Sequence, residues 1–410
     1  MDIRVLFLLI LLAGYALWLM RRAGLFYSRR ATALALVLLF CAFYLRALCL
    51  DYKTLDYIDF LSRWVDFFRS NGGFAALRYP IGNYNIPYLY FLALFSYSGV
   101  DDLYLIKLLS IFFDILLAYA SCQLLSKISD NRSSRLACFF TVLFLPTVVL
   151  NGALWAQCDV IFTALAILSI YQALDGRPVE SMISITLSFG FKLQAVFVMP
   201  ILAVLWMKND YRFRHFFIFP AGYVLLVLPA VLLGRPFLDT ITLYLGQTGS
   251  IGSGLNYNSS SVFALFTNVA NEPLASKLGI LAAFTAMLII LLVCFINRRR
   301  LTAKSVLAAA ALFAVVIPFL LPHMHDRYFF AADIMAVVMT FAAFEFFPAA
   351  LLVQFGSLLG YYAYFKTRFL LPMRYGGWTM LIALCLAGLY FLTGFEGKTP
   401  DNGKNGLDKI

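Results

Sequence analysis

The side chains in this sequence best suited to chemistry are carboxylates and cations set into apolar surroundings. Asp56 and Asp59 open the segment Leu55–Phe68. A carboxylate there can take a proton from an incoming hydroxyl; equally, both can cap the first turn of a helix. Trp155-Ala156-Gln157-Cys158-Asp159 places an amide and an acid at the start of an apolar run. Lys192 and Gln194 lie inside Phe191–Phe197. A lysine in such a stretch requires an anion, either a phosphate or a protein carboxylate such as Asp159. His323-Met324-His325-Asp326-Arg327-Tyr328 follows Pro318 and Pro322. The planar Arg327 guanidinium matches a phosphate and would also serve as an interfacial anchor. Asn85 can line a pocket, while the nearby Tyr88 and Tyr90 suit an aromatic belt. Two histidines in one turn, without a cysteine or glutamate cluster, are weak metal ligands, so neither a metal nor another cofactor is expected. A carboxylate to activate a hydroxyl, with cations to hold a phosphate as charge develops on it, is a set able to transfer a group from a phosphate-linked donor.

What must position these residues is a membrane-embedded bundle. Of the 410 residues, 62% are hydrophobic and 13% charged, with a mean hydropathy of +0.85. Soluble domains carry about 25% charged residues. The apolar residues gather into runs long enough to cross ~30 Å of hydrocarbon as helices. Spans are expected near 4–20, 31–50, 103–126, 136–150, 154–174, 211–233, 275–297, 302–321, 328–346, 349–365 and 376–394. The stretch 181–207 reads as one kinked span or two short helices, giving an all-α polytopic protein of about 11–13 transmembrane helices. Val5–Met20 reads as a retained span, because arginines and not a cleavage site follow it.

The net charge of +11 does not imply nucleic acid. Its basic residues cluster in short loops: Arg21, Arg22, Arg29 and Arg30; Lys127, Arg132 and Arg135; Lys208, Arg212 and Arg214; Arg298, Arg299, Arg300 and Lys304. That is the positive-inside pattern. The opposite, outer face then carries the loop 51–100, the loop 235–274 and the turn Pro322–Tyr328. Residues 1–396 read as one membrane-embedded unit, with 4–30 an additional N-terminal span and 51–100 the outer loop that carries the candidate base. The polar tail 397–410 reads as disordered and cytoplasmic. Within the first outer loop, Tyr57, Phe60, Leu61, Trp64, Val65 and Phe68 fall on one face of an amphipathic interfacial helix, with Asp59, Arg63 and Asp66 opposite. Lys107 and Asp114, inside one span, read as members of a structural ion pair, with each other or with a neighbouring helix. The seven cysteines include no Cys-x-x-Cys pair and read as packing residues.

These segments, in this order, resemble a known family. Asp56-Tyr57 with Trp64, Tyr84-Asn85-Ile86-Pro87-Tyr88-Leu89-Tyr90, Ile106-Lys107-Leu108 with Phe113-Asp114, Leu154–Asp159, Phe191–Ala195 and His325–Tyr328 are similar to the bacterial multispanning glycosyltransferases of the GT-C fold related to the second GPI mannosyltransferase. The resemblance runs from about residue 50 to 335. It implies a polyprenyl-phosphate-monosaccharide donor, no nucleotide site and a catalytic aspartate in the first outer loop, which alignment on Trp64 places at Asp56 and not Asp59. Ala156 stands where the family usually has glycine, and Asp326 where glutamate is common. The expectation is an inverting, metal-independent transfer to an extracytoplasmic glycan or lipid-linked acceptor, in a bacterial cytoplasmic membrane with the site on its outer face. Asp56 is the base, Lys192 and Arg327 hold the donor phosphate, and Asp59, Asn85, Gln157, Asp159, Gln194 and His325 shape the pocket. The alternative is a transporter or flippase of lipid-linked sugars, which also needs a basic pocket open to lipid.

Overall fold

A computed structural model describes residues 2–244, 246, 254–266 and 268–395. The expected tail at 397–410 lies outside the described residues. Among the described residues the fold is all-helical but for two two-residue strands. In chain order the helices are α1 Ile3–Arg22, α2 Arg29–Ala47, α3 Ser62–Ser70, α4 Ile86–Phe95, α5 Asp102–Leu125 and α6 Arg132–Phe144. Next come α7 Pro146–Leu154, α8 Asp159–Leu174, α9 Pro178–Phe191, α10 Ile201–Met207, α11 Ile218–Leu232 and α12 Phe237–Ile241. The last five are α13 Glu272–Ile296, α14 Ala303–Leu320, α15 Phe330–Ala342, α16 Phe347–Lys366 and α17 Met373–Thr393. Short polar side chains start several of them: Asp2, Ser28 and Asn131 each accept from a backbone N–H in the first turn, and Thr302 and Ser305 form a reciprocal box.

Among the described residues eight helices are long and apolar enough to cross a membrane, or nine if the pair α6–α7, bent by 44° at Leu145–Pro146, counts as one span. That is fewer than the 11–13 expected. The reason lies at the candidate site. The runs 154–174 and 328–346 lose residues to turns that carry polar groups, leaving α8 with 16 residues and α15 with 13. At 1.5 Å per residue such helices fall short of a ~30 Å core. The stretch 181–207 is broken: α9 stops at Phe191, Lys192 is extended, and a 3₁₀ turn Leu193–Phe197 leads to α10.

Burial separates centre from rim. The best-covered long helices are α14, with 78% of its apolar window inside the protein, and α5, with 67%; α13 has only 22%. Helix α5 packs on α6, α8 and the additional N-terminal helix α1, where Tyr15 stacks on Phe112 at 4.6 Å. A second polar seam lies between α2 and α5. Asp114 pairs with Arg46 of α2 at 2.9 Å, and Lys107 donates instead to carbonyls of the turn after α2. The ion pair is therefore with the neighbouring helix.

The first loop does form an amphipathic helix, but with a shifted face. It opens with a π-helical turn, Tyr57–Leu61, before α3. The wider turn moves the register by one position. Tyr57, Leu61, Val65 and Phe68 are buried, while Phe60 is exposed.

Helices α2, α7, α9 and α14 end at one end of the bundle, and α5 and α8 begin there. Apart from α7, which continues α6 after the break at Leu145, their other ends lie in turns that carry basic residues. Contacts tie these turns together: Arg135 donates to Ala23 O, Tyr27 bonds Ser133, and Lys127 pairs with Asp175.

Candidate functional site

The polar turns at the first end converge on two carboxylates. Asp159 begins α8 and is fully buried. Lys192 Nζ donates to its Oδ1 at 2.6 Å. Asn151 Nδ2 donates to Oδ2 at 3.0 Å, and Arg327 Nε stands 3.6 Å from that oxygen. The break in the chain at Lys192 is what brings an ammonium here, since a continuous helix would carry it past on its axis. Arg327 is further held over the Trp155 ring at 5.2 Å and near the Asp326 carboxylate at 3.5 Å. Its Nε is buried without a hydrogen-bond partner. Asp159 thus faces two cations, and Arg327 is shared between Asp159 and Asp326.

Asp56 is the second focus. It precedes the π turn but its side chain caps nothing. Its Oδ2 instead accepts from Gln157 Nε2 at 2.7 Å and Trp155 Nε1 at 3.0 Å. Those donors are themselves fixed. The Gln157 carbonyl oxygen of the side chain accepts from Tyr84 OH at 3.0 Å, the Trp155 ring stacks on Tyr364 at 3.8 Å, and Thr54 Oγ1 donates to Trp155 O at 3.0 Å. Between them Ala156 has φ 67°. This left-handed turn points Trp155 and Gln157 to the same side, and it explains why glycine suits the position.

The turn before α15 closes the cluster. Strand β1, Asn256–Tyr257, pairs in parallel with β2, Met324–His325. His325 stacks on Tyr257 at 4.7 Å. Burial and the nearby Arg327 and Lys192 push the His325 imidazole down to about 4, so it is neutral at pH 7. Burial pushes Asp326 the other way, up to about 7, with Asp56 and Asp159 adding to it against Arg327. Gly360 of α16 permits this packing: a Cβ there would meet Asn258 O at 2.7 Å and Asp326 O at 2.9 Å.

Asp56, Gln157, Asp159, Lys192, His325 and Arg327 therefore meet in one place. Gln194 lies two residues after Lys192, against Tyr328. Two of the expected pocket residues stand apart. Asp59 is half exposed and pairs with Arg63 at 3.4 Å, as an i,i+4 helix pair does. Asn85 is buried as the cap of α4, donating to Gly190 O at 2.9 Å and Tyr223 OH at 3.2 Å. It supports the α9 end that carries Lys192. The sequence reading left Trp155, Tyr84, Asn151, Tyr361 and Tyr364 without a role. Trp155 adjoins Gln157, a usable signal; Tyr361 and Tyr364, on a helix 200 residues away, offered none. Asn151 Nδ2 also reaches Tyr361 OH at 3.0 Å.

Among the described residues no group of three or more His, Cys, Asp or Glu is placed to hold a metal ion. His323 is engaged elsewhere, its Nδ1 2.8 Å from Gly254 O. No protein-family model and no curated protein matches this chain.

Proposed function

We propose that this membrane protein transfers a monosaccharide from a polyprenyl-phosphate carrier to a hydroxyl of a glycan or lipid-linked acceptor. The observation that carries this reading is the pairing of an oriented carboxylate, Asp56, with a buried group in which Asp159 faces both Lys192 and Arg327. Lys192 and Arg327 can turn part of their charge to a donor phosphate, and Arg327 Nε has a hydrogen bond to give. The acceptor oxygen attacks the anomeric carbon, its proton passes to Asp56, and the carbon–oxygen bond to phosphate breaks. The electron pair leaves with the polyprenyl phosphate, whose added charge the cations stabilise. Attack opposite the leaving group inverts the anomeric centre. Trp155 and Gln157 occupy one oxygen of Asp56 and leave the other for the proton. Basic turns at the far ends of α2, α5, α8, α9 and α14 support an outer-face site under the positive-inside rule, and the reading takes the membrane to be a bacterial cytoplasmic one.

The bent pair α6–α7 favours a second reading, a transporter of the same lipid-linked sugars, since such proteins use broken helices at their sites. Transport needs the cations but not Asp56. Purified protein is incubated with a panel of polyprenyl-phosphate sugars and acceptor glycans. Loss of carrier-bound sugar that Asp56→Asn abolishes supports transfer. Movement of intact lipid-linked sugar across vesicles, equal in Asp56→Asn, supports transport and rejects the enzyme.

A further inference from the structure

Lys107 is a fully buried ammonium with no carboxylate within ion-pair distance among the described residues. Its protons go to one turn of backbone: Tyr52 O at 2.7 Å, Cys49 O at 2.8 Å and Leu50 O at 3.0 Å. An ammonium has three donors, and this geometry uses all of them. The turn follows α2 and runs directly into Thr54 and Asp56. On the same face of α5, Ser110 Oγ donates to Gln157 O at 2.8 Å. Thr54 then ties the two segments together through Trp155 O. One well-buried helix thus grips both the turn that carries Asp56 and the segment whose Trp155 and Gln157 donate to it.

We propose that Lys107 is a positioning residue for Asp56, fixing the carboxylate against its donors and at a set distance from the cations. This rests on Asp56 being the base. Burying a charge with only carbonyl partners is costly. What it secures here is the backbone path of residues 49–56, which it holds at Cys49, Leu50 and Tyr52, while Tyr104 of α5 adds one bond to the Asp51 side chain at 2.7 Å. A 1 Å displacement of a reacting group is enough to cost on the order of 100-fold in rate.

The test compares wild type, Lys107→Gln, Lys107→Met and Lys127→Met. Lys127 lies just past the other end of α5, paired with Asp175, and controls for loss of a lysine that only stabilises. Two quantities are read on folded protein: transfer kinetics with a polyprenyl-phosphate sugar, and hydrogen exchange of residues 49–58, which needs no substrate. We expect kcat to fall in the order Gln then Met, by roughly 10- to 100-fold for Met, with donor KM within about twofold, and exchange to rise at 49–58 only in the Lys107 variants. Lys127→Met should lose thermal stability and keep kcat. Wild-type kcat in Lys107→Met, or exchange at 49–58 that rises no more than in Lys127→Met, overturns the proposal. Should Lys107→Met not fold, Lys107→Gln, which keeps two N–H donors, decides on the same readouts. If wild type transfers nothing, the enzyme reading fails, and unchanged exchange still rejects the structural half independently.

Discussion

Two buried charge groups in this protein look alike in sequence and differ in how their partners are shared. Between α2, α5 and α6, Arg46 gives its Nε to Asp114 at 2.9 Å, its Nη1 to Ala42 O at 3.2 Å and its Nη2 to Leu143 O at 2.9 Å. One cation meets one anion, and the remaining donors meet backbone. Where α8 begins and α9 and α14 end, Asp159 meets both Lys192 and Arg327, Arg327 also lies 3.5 Å from Asp326, and among the described residues Arg327 Nε has no hydrogen bond. In the first group each charge has one partner, although Asp114 Oδ1 is left without a hydrogen bond; in the second the unused group is a donor, Arg327 Nε. In low dielectric a one-to-one pair holds helices together, whereas a shared cation with a free donor can give it to an anion. Charge inside a membrane protein is thus a guide to function only once its partners are counted.

The sharpest break of that comparison lies at the carboxylate beside the shared group. Asp56→Asn should lower transfer by 10²–10⁴-fold, the usual worth of a general base, while donor binding persists. Asp59→Asn, on an exposed ion pair, should remain within a few-fold of wild type. Activity that survives in Asp56→Asn and vanishes in Asp59→Asn would reverse the assignment.

Next, the two groups should respond differently to the same substitution. Lys192→Met and Arg327→Met should weaken donor affinity roughly 10- to 100-fold, as loss of a charge-assisted bond worth ~1.5–3 kcal/mol implies, and lower kcat as well. Arg327→Lys should stay impaired, since a point charge does not reproduce the guanidinium fork. Arg46→Met should instead cost about 3–5 kcal/mol of stability by stranding Asp114, with normal donor binding in the folded fraction. Donor titration on folded protein reads both, and unchanged affinity in Lys192→Met removes the distinction. The same cations should make transfer indifferent to EDTA; activity that disappears with EDTA and returns with magnesium or manganese would bring a metal back into the site.

A smaller effect follows from the shared group's neighbours. Asp326 is raised to about 7 from 3.8, so the folded protein holds more protons there between those values, and its contribution to stability falls as pH rises through that window. His325 is lowered to about 4 from 6.5, so the folded protein holds fewer, and its contribution rises with pH between them. The two oppose each other in wild type. Thermal melts from pH 4 to 7 should therefore show stability rising with pH in Asp326→Asn and falling in His325→Gln, by up to about 1.4 kcal/mol per pH unit. Parallel profiles in the two variants would contradict this.

The smallest effect is expected at the turn that aims the donors of Asp56. Ala156 sits at φ 67°, a conformation that costs about 1 kcal/mol with a side chain and little with glycine. Ala156→Gly should raise thermal stability by that order and leave transfer near wild type. A loss of stability would mean that the methyl contact outweighs the strain.

Composition and hydropathy period determined the broad class of this protein. Long uncharged runs of Phe, Leu, Ile and Val have few alternatives to membrane helices, because lipid leaves the backbone no other hydrogen-bond partners. The polar residues of the site were legible for the same reason: a lysine at 192 or an acid at 159 stands out where each charge must be compensated. Partners were another matter. Lys107 and Asp114 lie seven residues apart on one helix and do not pair; Asp114 joins Arg46, 68 positions away. Asp56 read on its own loop as cap or base, and the family resemblance pointed to the base; its side chain caps nothing and is held by Trp155 and Gln157 at 3.0 and 2.7 Å. Asn85 and Asp59, both polar and both in outer segments, separated into a buried cap and a surface pair. The lengths of α8 and α15, the π turn that turns Phe60 outward, and the Tyr364 wall behind Trp155 depend on which segments meet. Periodicity records how each segment faces apolar surroundings. Only packing in three dimensions decides which polar groups from distant segments share one small volume, and so which charges pair one to one and which are shared.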